Sequence, residues 1–317
     1  MGKINILITG CGGFVGRNLS EYFSKQPERY TTYATTHADL ELLDVEAVES
    51  FFNNNHVDVV IHCASVGGTR KSNYDKGETS IISTNLKMFF NIVRCLSPET
   101  YMIHLGTGAE YDRRHNKPKM PEDYFDKHVP ADDYGYSKYL ISKYIEKSNN
   151  IICLRIFGLY GKYEDYCSRF ISNAIVKNLL HLPITINQNV VFDYLYIDDF
   201  VTIVESIVQK RVMKNKHLNV TPTQSIDLIS IAELINKISD FQSDVYVLNE
   251  GMNLEYTGDN SKLLENIGPY EFTPYEKGIY ELYQYYRARL SILDVKTIIE
   301  DPYLKYCKVL KDSPEGS

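Results

Sequence analysis

A glycine-rich stretch near the start of the chain constrains the fold more than any other feature. An apolar run over residues 4–9 leads into three glycines spaced three residues apart, and an amphipathic pattern typical of a helix follows. Gly10 permits a sharp turn, Gly13 lets backbone approach a phosphate without an intervening Cβ, and Gly16 lets the helix pack close to the strand. The stretch therefore predicts a dinucleotide-binding βα unit, although an ordinary glycine turn would share the local pattern. The predicted contacts with the dinucleotide are Gly10, Gly13, Phe14, Val15 and Gly16.

Strands and helices alternate along the rest of the chain. Strands are predicted at 30–35, 57–63, 101–105, 151–156, 190–196, 217–220 and 245–249. Helices are predicted at 45–52, 80–96, 136–147, 169–180, 197–208, 229–239 and 275–290, and the tail after Asp294 has no assignment. The alternation predicts an α/β fold: a doubly wound, Rossmann-type parallel sheet with a smaller, mostly C-terminal α/β lobe. The predicted dinucleotide-binding domain comprises 1–157, with 190–222 returning to it, and the predicted substrate-binding lobe comprises 158–189 and 223–317.

Composition and charge exclude several classes of protein. A net charge of −7 over 317 residues, without a long basic run, argues against a nucleic-acid binder. The chain lacks an 18-residue apolar run, so no membrane span is expected, and the first strand begins too early to leave room for a signal peptide. The six cysteines show neither CxxC pairs nor zinc spacing. We therefore expect reduced thiols, no metal site and a cytoplasmic location.

A tyrosine and a lysine one helical turn apart are candidates for catalysis. Tyr134 and Lys138 stand at the start of a predicted helix and share one of its faces. A phenol has an ordinary pKa of about 10, and a neighbouring ammonium group would lower that pKa. Thr107 follows a predicted strand and would donate a hydrogen bond to a substrate oxygen. Tyr136 lacks this arrangement, because its i+4 neighbour is Leu140.

Landmarks over residues 4–200 resemble one enzyme family. They are Gly10/Gly13/Gly16, Asp44-Val45, His62-Cys63-Ala64-Ser65, Asn85, Thr107 with Tyr111, Tyr134 with Lys138, residues 154–158 and residues 192–199. In order and spacing the chain resembles the extended short-chain dehydrogenases/reductases of the NAD(P)-dependent sugar-nucleotide epimerase/dehydratase family. Among these it is most similar to 4-ketosugar reductases such as GDP-fucose synthase.

The resemblance implies roles for individual residues and an assembly state for the chain. Thr107, Tyr134 and Lys138 would be the catalytic triad, and Lys138 would also bind the cofactor ribose. The resemblance places the remaining cofactor contacts at Asp44 and Val45 beside the adenine, at Ala64, Ser65 and Asn85 along the groove, and at Ile156 and Leu159 near the nicotinamide. Members commonly form homodimers through two helices, here 80–96 and 135–147. Leu140, Ile141, Tyr144 and Ile145 would serve either that interface or the core.

Departures from the family pattern narrow the activity. Dehydratases of the family resemble Thr-Asp-Glu where this chain has Thr107-Gly108-Ala109, so the carboxyl pair that dehydration needs is missing. The epimerisation step of GDP-fucose synthase uses a cysteine at the position of Ala109, so we expect reduction without that step.

The two ends of the expected ligand-binding groove also depart from the pattern. NAD-selective members carry an Asp at the end of the second strand. Thr36 and His37 stand there instead and favour NADP(H) over NAD(H), although Asp39 could approach the ribose. Phe192 replaces an Arg that normally grips the nucleotide diphosphate. Candidate replacement cations that would bind substrate are Arg70 and Arg169, with Lys162 as a third; each is otherwise an ordinary surface charge.

Three functions remain open on this evidence. The leading hypothesis is an NADPH-dependent reductase of a keto group, at C4, of a nucleotide-activated deoxy-sugar. The second is an NAD-dependent nucleotide-sugar C4 epimerase. The third is a cofactor-binding regulatory protein that has lost its chemistry.

Overall fold

The structure is a computed structural model that describes residues 2–68, 80–211, 214–305 and 307. The first part of the chain forms β1 (Ile4–Thr9), α1 (Phe14–Ser24), β2 (Tyr30–Thr35), α2 (Val45–Asn54), β3 (Val59–His62), α3 (Ser80–Val93), β4 (Tyr101–Thr107), α4 (Asp133–Ile145) and β5 (Ile151–Ile156). The second part forms β6 (Gly158–Tyr160), α5 (Phe170–Leu179), β7 (Ile184–Asn189), β8 (Val191–Phe192), β9 (Tyr194–Tyr196), α6 (Ile197–Lys210), β10 (His217–Val220), β11 (Ile226–Asp227), α7 (Leu228–Ile238), β12 (Val245–Met252), α8 (Ser261–Ile267), α9 (Tyr275–Arg287), α10 (Val295–Glu300) and α11 (Pro302–Lys305).

A six-stranded parallel sheet lies at the centre of the molecule. Its strand order is β10-β5-β4-β3-β1-β2, and every neighbouring pair is parallel. From β1 the chain moves outward to β2 and then crosses to β3 on the other side of β1. In such sheets a ligand binds at the carboxyl ends of the strands where the order reverses. The predicted doubly wound sheet is confirmed.

Alternating side chains of the strands pack against helices on both faces of this sheet. Ile6 and Ile8 of β1 lie in a buried cluster with Leu19 of α1 and with apolar residues of α6. Leu7 points to the other face, where a second cluster contains Ile141 of α4 and residues of α2 and α3. Burial on both faces explains why the inner strands are almost continuously apolar.

A third buried cluster forms the core of a smaller, mostly C-terminal region. It joins side chains of α5, α7 and α9 to β7 and extends to Ile298 of α10 and Tyr303 of α11. Three two-stranded sheets flank it: β7 with β12, β6 with β9, and β8 with β11. Leu263 of α8 packs instead against the central sheet. None of the helices in the described ranges has the length and apolar character that a membrane crossing requires.

Some boundaries differ from the predictions for physical reasons. The helix predicted from residue 136 begins at Asp133, because the Asp132 carboxylate accepts a hydrogen bond from Gly135 N at 2.8 Å and caps the helix. The predicted strand 190–196 is two strands, β8 and β9, separated by the buried Asp193. The strands β6 and β7 and the helix α8 were not predicted, and the unassigned tail forms α10, capped by Asp294, and α11.

Candidate active site

The glycine turn has the geometry that a dinucleotide phosphate needs. Gly10 has a φ of +71°, and a Cβ there would lie 2.8 Å from the backbone of Ala64. A Cβ on Gly16 would lie 2.4 Å from Gly10 O, so α1 packs directly on the turn. A Cβ on Gly13 would meet only Gly10 O, at 3.4 Å, which leaves open space above this residue. The helix α1 begins after Gly13 without a side-chain cap, so its first N–H groups, including those of Phe14 and Val15, face a potential anion. These residues fit a pyrophosphate.

An acidic residue lies beside the end of β2. Asp39 accepts hydrogen bonds from Thr36 N at 2.8 Å and from the Thr36 hydroxyl at 2.7 Å, and these bonds lower the pKa of its carboxyl. His37 is highly exposed, with its Nδ1 3.6 Å from a Glu41 carboxylate oxygen. This end of the expected groove therefore contains the Asp39 carboxylate, the group that, from the sequence, could approach the cofactor ribose.

The predicted groove residues after β3 are held by an amide side chain. Asn85 of α3 accepts a hydrogen bond from Val66 N at 2.9 Å and donates to Val66 O at 3.0 Å and to the Ser137 hydroxyl at 3.0 Å. The Ser65 hydroxyl also contacts this amide at 3.4 Å, and Ala64 N donates to Thr9 Oγ1 at 3.3 Å. Asn85 therefore links the segment that follows β3 to Ser137 of α4. Its amide is used within the protein, which makes it a positioning residue for the groove.

Four other predicted cofactor contacts lie at or near the ends of helices and strands. Asp44 caps α2 by accepting from Ala47 N at 3.1 Å, and Val45 beside it is exposed. Ile156 ends β5 opposite Thr107 of β4, and Leu159 lies in β6; both are half-buried against the central core. Ile156 and Leu159 thus lie at or just beyond the carboxyl end of β5, and Asp44 and Val45 lie at the start of α2.

The structure places the three predicted catalytic residues at the carboxyl end of β4. Thr107 is the last residue of β4, and Tyr134 and Lys138 lie one turn apart on α4. The Lys138 ammonium group donates to Leu105 O at 2.8 Å and lies 6.0 Å from the centroid of the Tyr134 ring. Gly68 covers that ring so closely that a Cβ there would lie 2.7 Å from Tyr134 Cζ.

The pKa of Tyr134 shifts in the direction opposite to the one expected from the sequence. Burial raises the pKa of Tyr134 to about 12, and the nearby Tyr256 adds to the rise, while Arg113 and Arg169 oppose it. Burial also lowers the pKa of Lys138 to about 8. The expected lowering by Lys138 is wrong for this structure, because desolvation outweighs the ammonium group, which faces Leu105 O. Tyr134 is therefore protonated at neutral pH, the form that can donate a proton.

A buried ion pair supports the turn that carries Thr107. Glu110 accepts from Thr107 N at 2.9 Å, from the Ser142 hydroxyl at 2.6 Å and from Arg155 Nε at 2.7 Å. Both charged side chains are fully buried. The Thr107 hydroxyl accepts from Ala109 N at 3.2 Å, which completes a capping box. The Thr-x-x-Glu spacing was a sequence signal for this arrangement.

One residue of the site has no signal in the sequence. The Tyr256 hydroxyl lies 3.4 Å from the Thr107 hydroxyl, and its ring packs on Phe157 and Phe192 with centroid distances of 5.0 and 5.6 Å. Its backbone N–H donates to Val191 O at 2.9 Å, which holds the segment after β12 against β8. Burial raises the pKa of Tyr256 as well. A protonated phenol from a distant part of the chain thus lies beside the Thr107 hydroxyl.

The predicted substrate cations lie at different places. Arg169 donates to Gly68 O at 3.0 Å, and its charge partly opposes the rise in the pKa of Tyr134. Lys162 instead pairs with Glu21 of α1 at 3.0 Å. Arg70 lies outside the described residues.

Phe192, at the position of the missing Arg, packs on Tyr194 and Tyr256. Arg113, which was not predicted, lies over the Tyr256 ring at 5.8 Å. Across the described ranges no group of three metal-ligating side chains is arranged to hold an ion.

A phosphate-sized glycine turn and a Tyr–Lys pair at the carboxyl edge of a parallel sheet define a Rossmann-type protein. The model of the NAD dependent epimerase/dehydratase family matches residues 6–221, and the chain belongs to this family. The resemblance drawn from the sequence is confirmed.

Individual relatives are distant but cover most of the chain. GDP-L-fucose synthase of Azorhizobium caulinodans is 23% identical over 90% of this chain and 97% of its own length. GDP-6-deoxy-D-talose 4-dehydrogenase of Aggregatibacter actinomycetemcomitans is 23% identical over 91% of this chain and 100% of its own length. A GDP-mannoheptose C4 reductase of Campylobacter jejuni, solved with NADP bound, superposes with a TM-score of 0.77 at 18% identity, over 90% of this chain and 99% of that one. The last comparison supports the fold.

Proposed function

We propose that this protein uses NADPH to reduce a keto group, at C4, of a nucleotide-activated deoxy-sugar. The observation that carries the proposal is a half-buried Tyr134 one helical turn from the buried Lys138, beside a Thr107 turn that has no second carboxyl group for dehydration. A protonated phenol suits the direction of reduction, in which the ketone oxygen must gain a proton. Relatives whose names specify reduction or oxidation at C4 of a GDP-sugar are consistent with this reaction.

Each catalytic side chain has a distinct role in this proposal. The bound nicotinamide supplies the hydride. Tyr134 donates its phenolic proton to the ketone oxygen, and Thr107 holds that oxygen through its hydroxyl group. Lys138 binds the cofactor ribose, and its positive charge favours the phenolate that remains after proton transfer. Thr107 and Lys138 are buried, which keeps bulk water away from these two side chains.

The residues after Thr107 argue against the family's other chemistries. Gly108 and Ala109 offer neither acid nor base, and both are buried, so water cannot easily take their place. Glu110 is the nearest carboxylate, and its oxygens are engaged by Thr107 N, Ser142 and Arg155. Elimination of water needs a free acid and a free base at the sugar. Reduction needs only the three residues that are in place.

The NAD-dependent C4 epimerase is a second candidate because of Asp39. A carboxylate beside the end of β2 binds the ribose 2′-hydroxyl of NAD and repels the 2′-phosphate of NADP. NADPH remains our proposal because Asp39 is already engaged by Thr36 and fully exposed, while no carboxylate stands at Thr35 or Thr36 themselves. Tightly bound NAD⁺ in the purified protein would favour the epimerase, and exchangeable NADPH bound more tightly than NADH would favour the reductase.

The decisive test of the proposed reaction removes one hydroxyl group. Tyr134→Phe removes the proton donor, and we expect turnover of a 4-keto nucleotide-sugar to fall by roughly 10²–10⁴-fold, with NADPH affinity retained. Tyr136→Phe, two residues away on the same helix, is the matched control and should keep activity. An active Tyr134→Phe protein would refute the assignment. A wild-type protein that binds NADPH but reduces no 4-keto nucleotide-sugar would support the regulatory alternative.

The expected homodimer and cytoplasmic location belong to the same proposal. Six cysteines without a paired spacing favour a reducing compartment. A nucleotide-sugar is the proposed partner, and Arg169 and Arg113 are the cations best placed to attract its diphosphate.

A further inference from the structure

A cavity of about 260 Å³ adjoins the glycine turn on the side that faces the C-terminal region. Gly12, Gly13 and Arg17 line it from the start of α1, and Tyr285 and Arg289 line it from the end of α9 and just beyond. The two sets of residues are more than 260 positions apart in the chain, so this space exists only when both regions are folded against each other.

Four side chains form a continuous stack along one wall of this cavity. The Arg17 guanidinium lies 3.7 Å from the centroid of the Tyr163 ring, and the Arg289 guanidinium lies 4.0 Å from that of Tyr285. The two tyrosine rings meet edge to face, with centroids 5.9 Å apart. Stacking on a ring fixes the plane of a guanidinium and leaves N–H groups at its edge for a bidentate anion. We call these four residues the arginine–tyrosine stack.

The charges around the cavity favour an anion. Glu21 is the carboxylate nearest to Arg17, at 3.5 Å, and it is shared with Lys162 at 3.0 Å and with the Tyr163 hydroxyl at 2.7 Å. Glu164 also lines the cavity, and burial raises the pKa of this carboxyl to about 8, so it is largely uncharged at neutral pH. Among the described residues that line the cavity, no ionised carboxylate therefore offsets the positive charge of Arg289.

We infer that the arginine–tyrosine stack binds the diphosphate of the dinucleotide, with Arg289 reaching it from the C-terminal region. The inference rests on the proposed cofactor function. Phe14, the first residue of the uncapped helix α1, also lines the cavity, so a diphosphate held there lies between the start of the helix and the guanidinium groups. A nucleotide-sugar also contains a diphosphate, but Phe192 and Arg169, which mark the expected sugar site, do not line this cavity.

The test measures binding without turnover. Calorimetry at low salt would compare wild type, Arg289→Ala and Arg289→Lys with three probes: ADP-ribose, adenosine and GDP. We expect Arg289→Ala to weaken ADP-ribose binding by about tenfold or more, the range for a lost hydrogen bond to a charged group. Adenosine, which lacks phosphate, should bind unchanged, and Arg289→Lys should lose less affinity. Arg287→Ala, an exposed arginine at the end of the same helix, is the matched control.

Each outcome separates the inference from the proposed function. Unchanged ADP-ribose affinity in Arg289→Ala would overturn the inference while leaving the reductase proposal intact. A loss confined to GDP would assign the stack to the nucleotide-sugar and would also overturn it. Failure of the wild-type protein to bind ADP-ribose would overturn the cofactor function itself. An equal loss in Arg287→Ala would show a general charge effect and count against the stack.

Discussion

Two phenols belong to the site around Thr107, and they come from distant parts of the chain. Tyr134 is supplied by α4, and Tyr256 follows β12. The Thr107 hydroxyl accepts from Ala109 N, so its own proton can be directed either to the Tyr256 oxygen at 3.4 Å or to a substrate oxygen. If the Tyr256 hydroxyl donates to Thr107 instead, the Thr107 proton is left for the substrate. Tyr256 is thus a positioning residue for the proposed reaction.

Tyr256→Phe should therefore lower kcat by about tenfold, the effect of about 1.4 kcal/mol in the barrier, with NADPH affinity unchanged. In a Thr107→Ala background the same change should have no further effect, because the group it positions is gone. Tyr283→Phe removes an equally buried hydroxyl that bonds to Asn178 and Ser239 in the other core, and it should leave kcat alone. Additive effects of the Thr107 and Tyr256 changes would contradict the positioning role.

A buried carboxyl makes the stability of the protein depend on pH. The pKa of Glu164 is raised from 4.5 to about 8 by burial, and its side chain accepts a hydrogen bond from Ser172. Between those pH values the folded chain keeps a proton that the unfolded chain releases, so this group lowers stability as pH rises from about 4.5 to about 8. Above that range its effect is constant.

Glu164→Gln removes this ionisation. The melting temperature of the variant should therefore exceed that of the wild type, and the difference should grow from pH 5 to pH 8 and reach several degrees. Differential scanning calorimetry across the pH range measures the difference between the two proteins. Glu233→Gln, on the exposed face of α7, should show no such trend. A difference that shrinks as pH rises would show that the pKa of Glu164 is not raised.

At the scale of elements, the carboxyl end of β4 is held by polar groups of its neighbours. Glu110 connects the turn after β4 to Arg155 of β5 and to Ser142 of α4. Asp132 is the N-cap of α4 and lies two residues before Tyr134, so the position of the cap sets the position of the phenol. The elements β4 and α4, which carry the three predicted catalytic residues, are therefore joined to each other and to β5 by hydrogen bonds as well as by apolar packing.

Glu110→Gln should be strongly destabilising, because it leaves the Arg155 guanidinium buried without its counter-charge. We expect a loss of about 3–5 kcal/mol in the free energy of unfolding, measured by urea denaturation. The matched change Glu276→Gln breaks an ion pair with Lys237 in which both side chains are more than half exposed. That control should lose less than about 1 kcal/mol. Similar losses in the two variants would mean that the buried pair contributes little.

At the scale of the whole molecule, the outer face of α3 and α4 is the surface that the family resemblance assigns to a dimer. Ile141 and Ile145 of α4 are buried in the core beneath the sheet. Tyr144 is 40% exposed, and its ring packs edge to face on Phe90 at 5.0 Å. The apolar residues of α4 thus divide between an inner face that serves the core and an outer face that remains at the surface.

We expect the wild-type protein to be a dimer in light scattering and Tyr144→Glu to be a monomer, because a buried carboxylate at the interface would be desolvated without a partner. Tyr280→Glu places the same charge on an equally exposed tyrosine of α9 and should leave the dimer intact. Comparing the activity of the monomeric Tyr144→Glu protein with that of the wild type then shows whether dimerisation affects the active site. A monomeric wild type at micromolar concentration would contradict the prediction.

Local steric rules and helical spacing were sufficient for much of this protein. The glycine turn could be read from the sequence because each glycine answers a constraint from atoms a few residues away, such as Gly10 O beneath Gly16. Strands β2, β5 and β10 were predicted at their observed bounds, and β5, which lies inside the sheet, is the most apolar of the three. Tyr134 and Lys138 were identified because residues four apart on a helix share a face.

Tertiary contacts decided what those rules could not. Tyr256 reaches Thr107 only because the segment after β12 pairs with β8, and Arg289 shares a cavity with Gly12 and Gly13 only because the fold brings the end of α9 close to the glycine turn. The pKa of Tyr134 depends on burial by the loop at Gly68, which no spacing in the sequence reveals. Local sequence thus determined the turn, the strands and the catalytic pair, whereas desolvation and the meeting of distant segments, which depend on the whole fold, determined the environment in which that pair works.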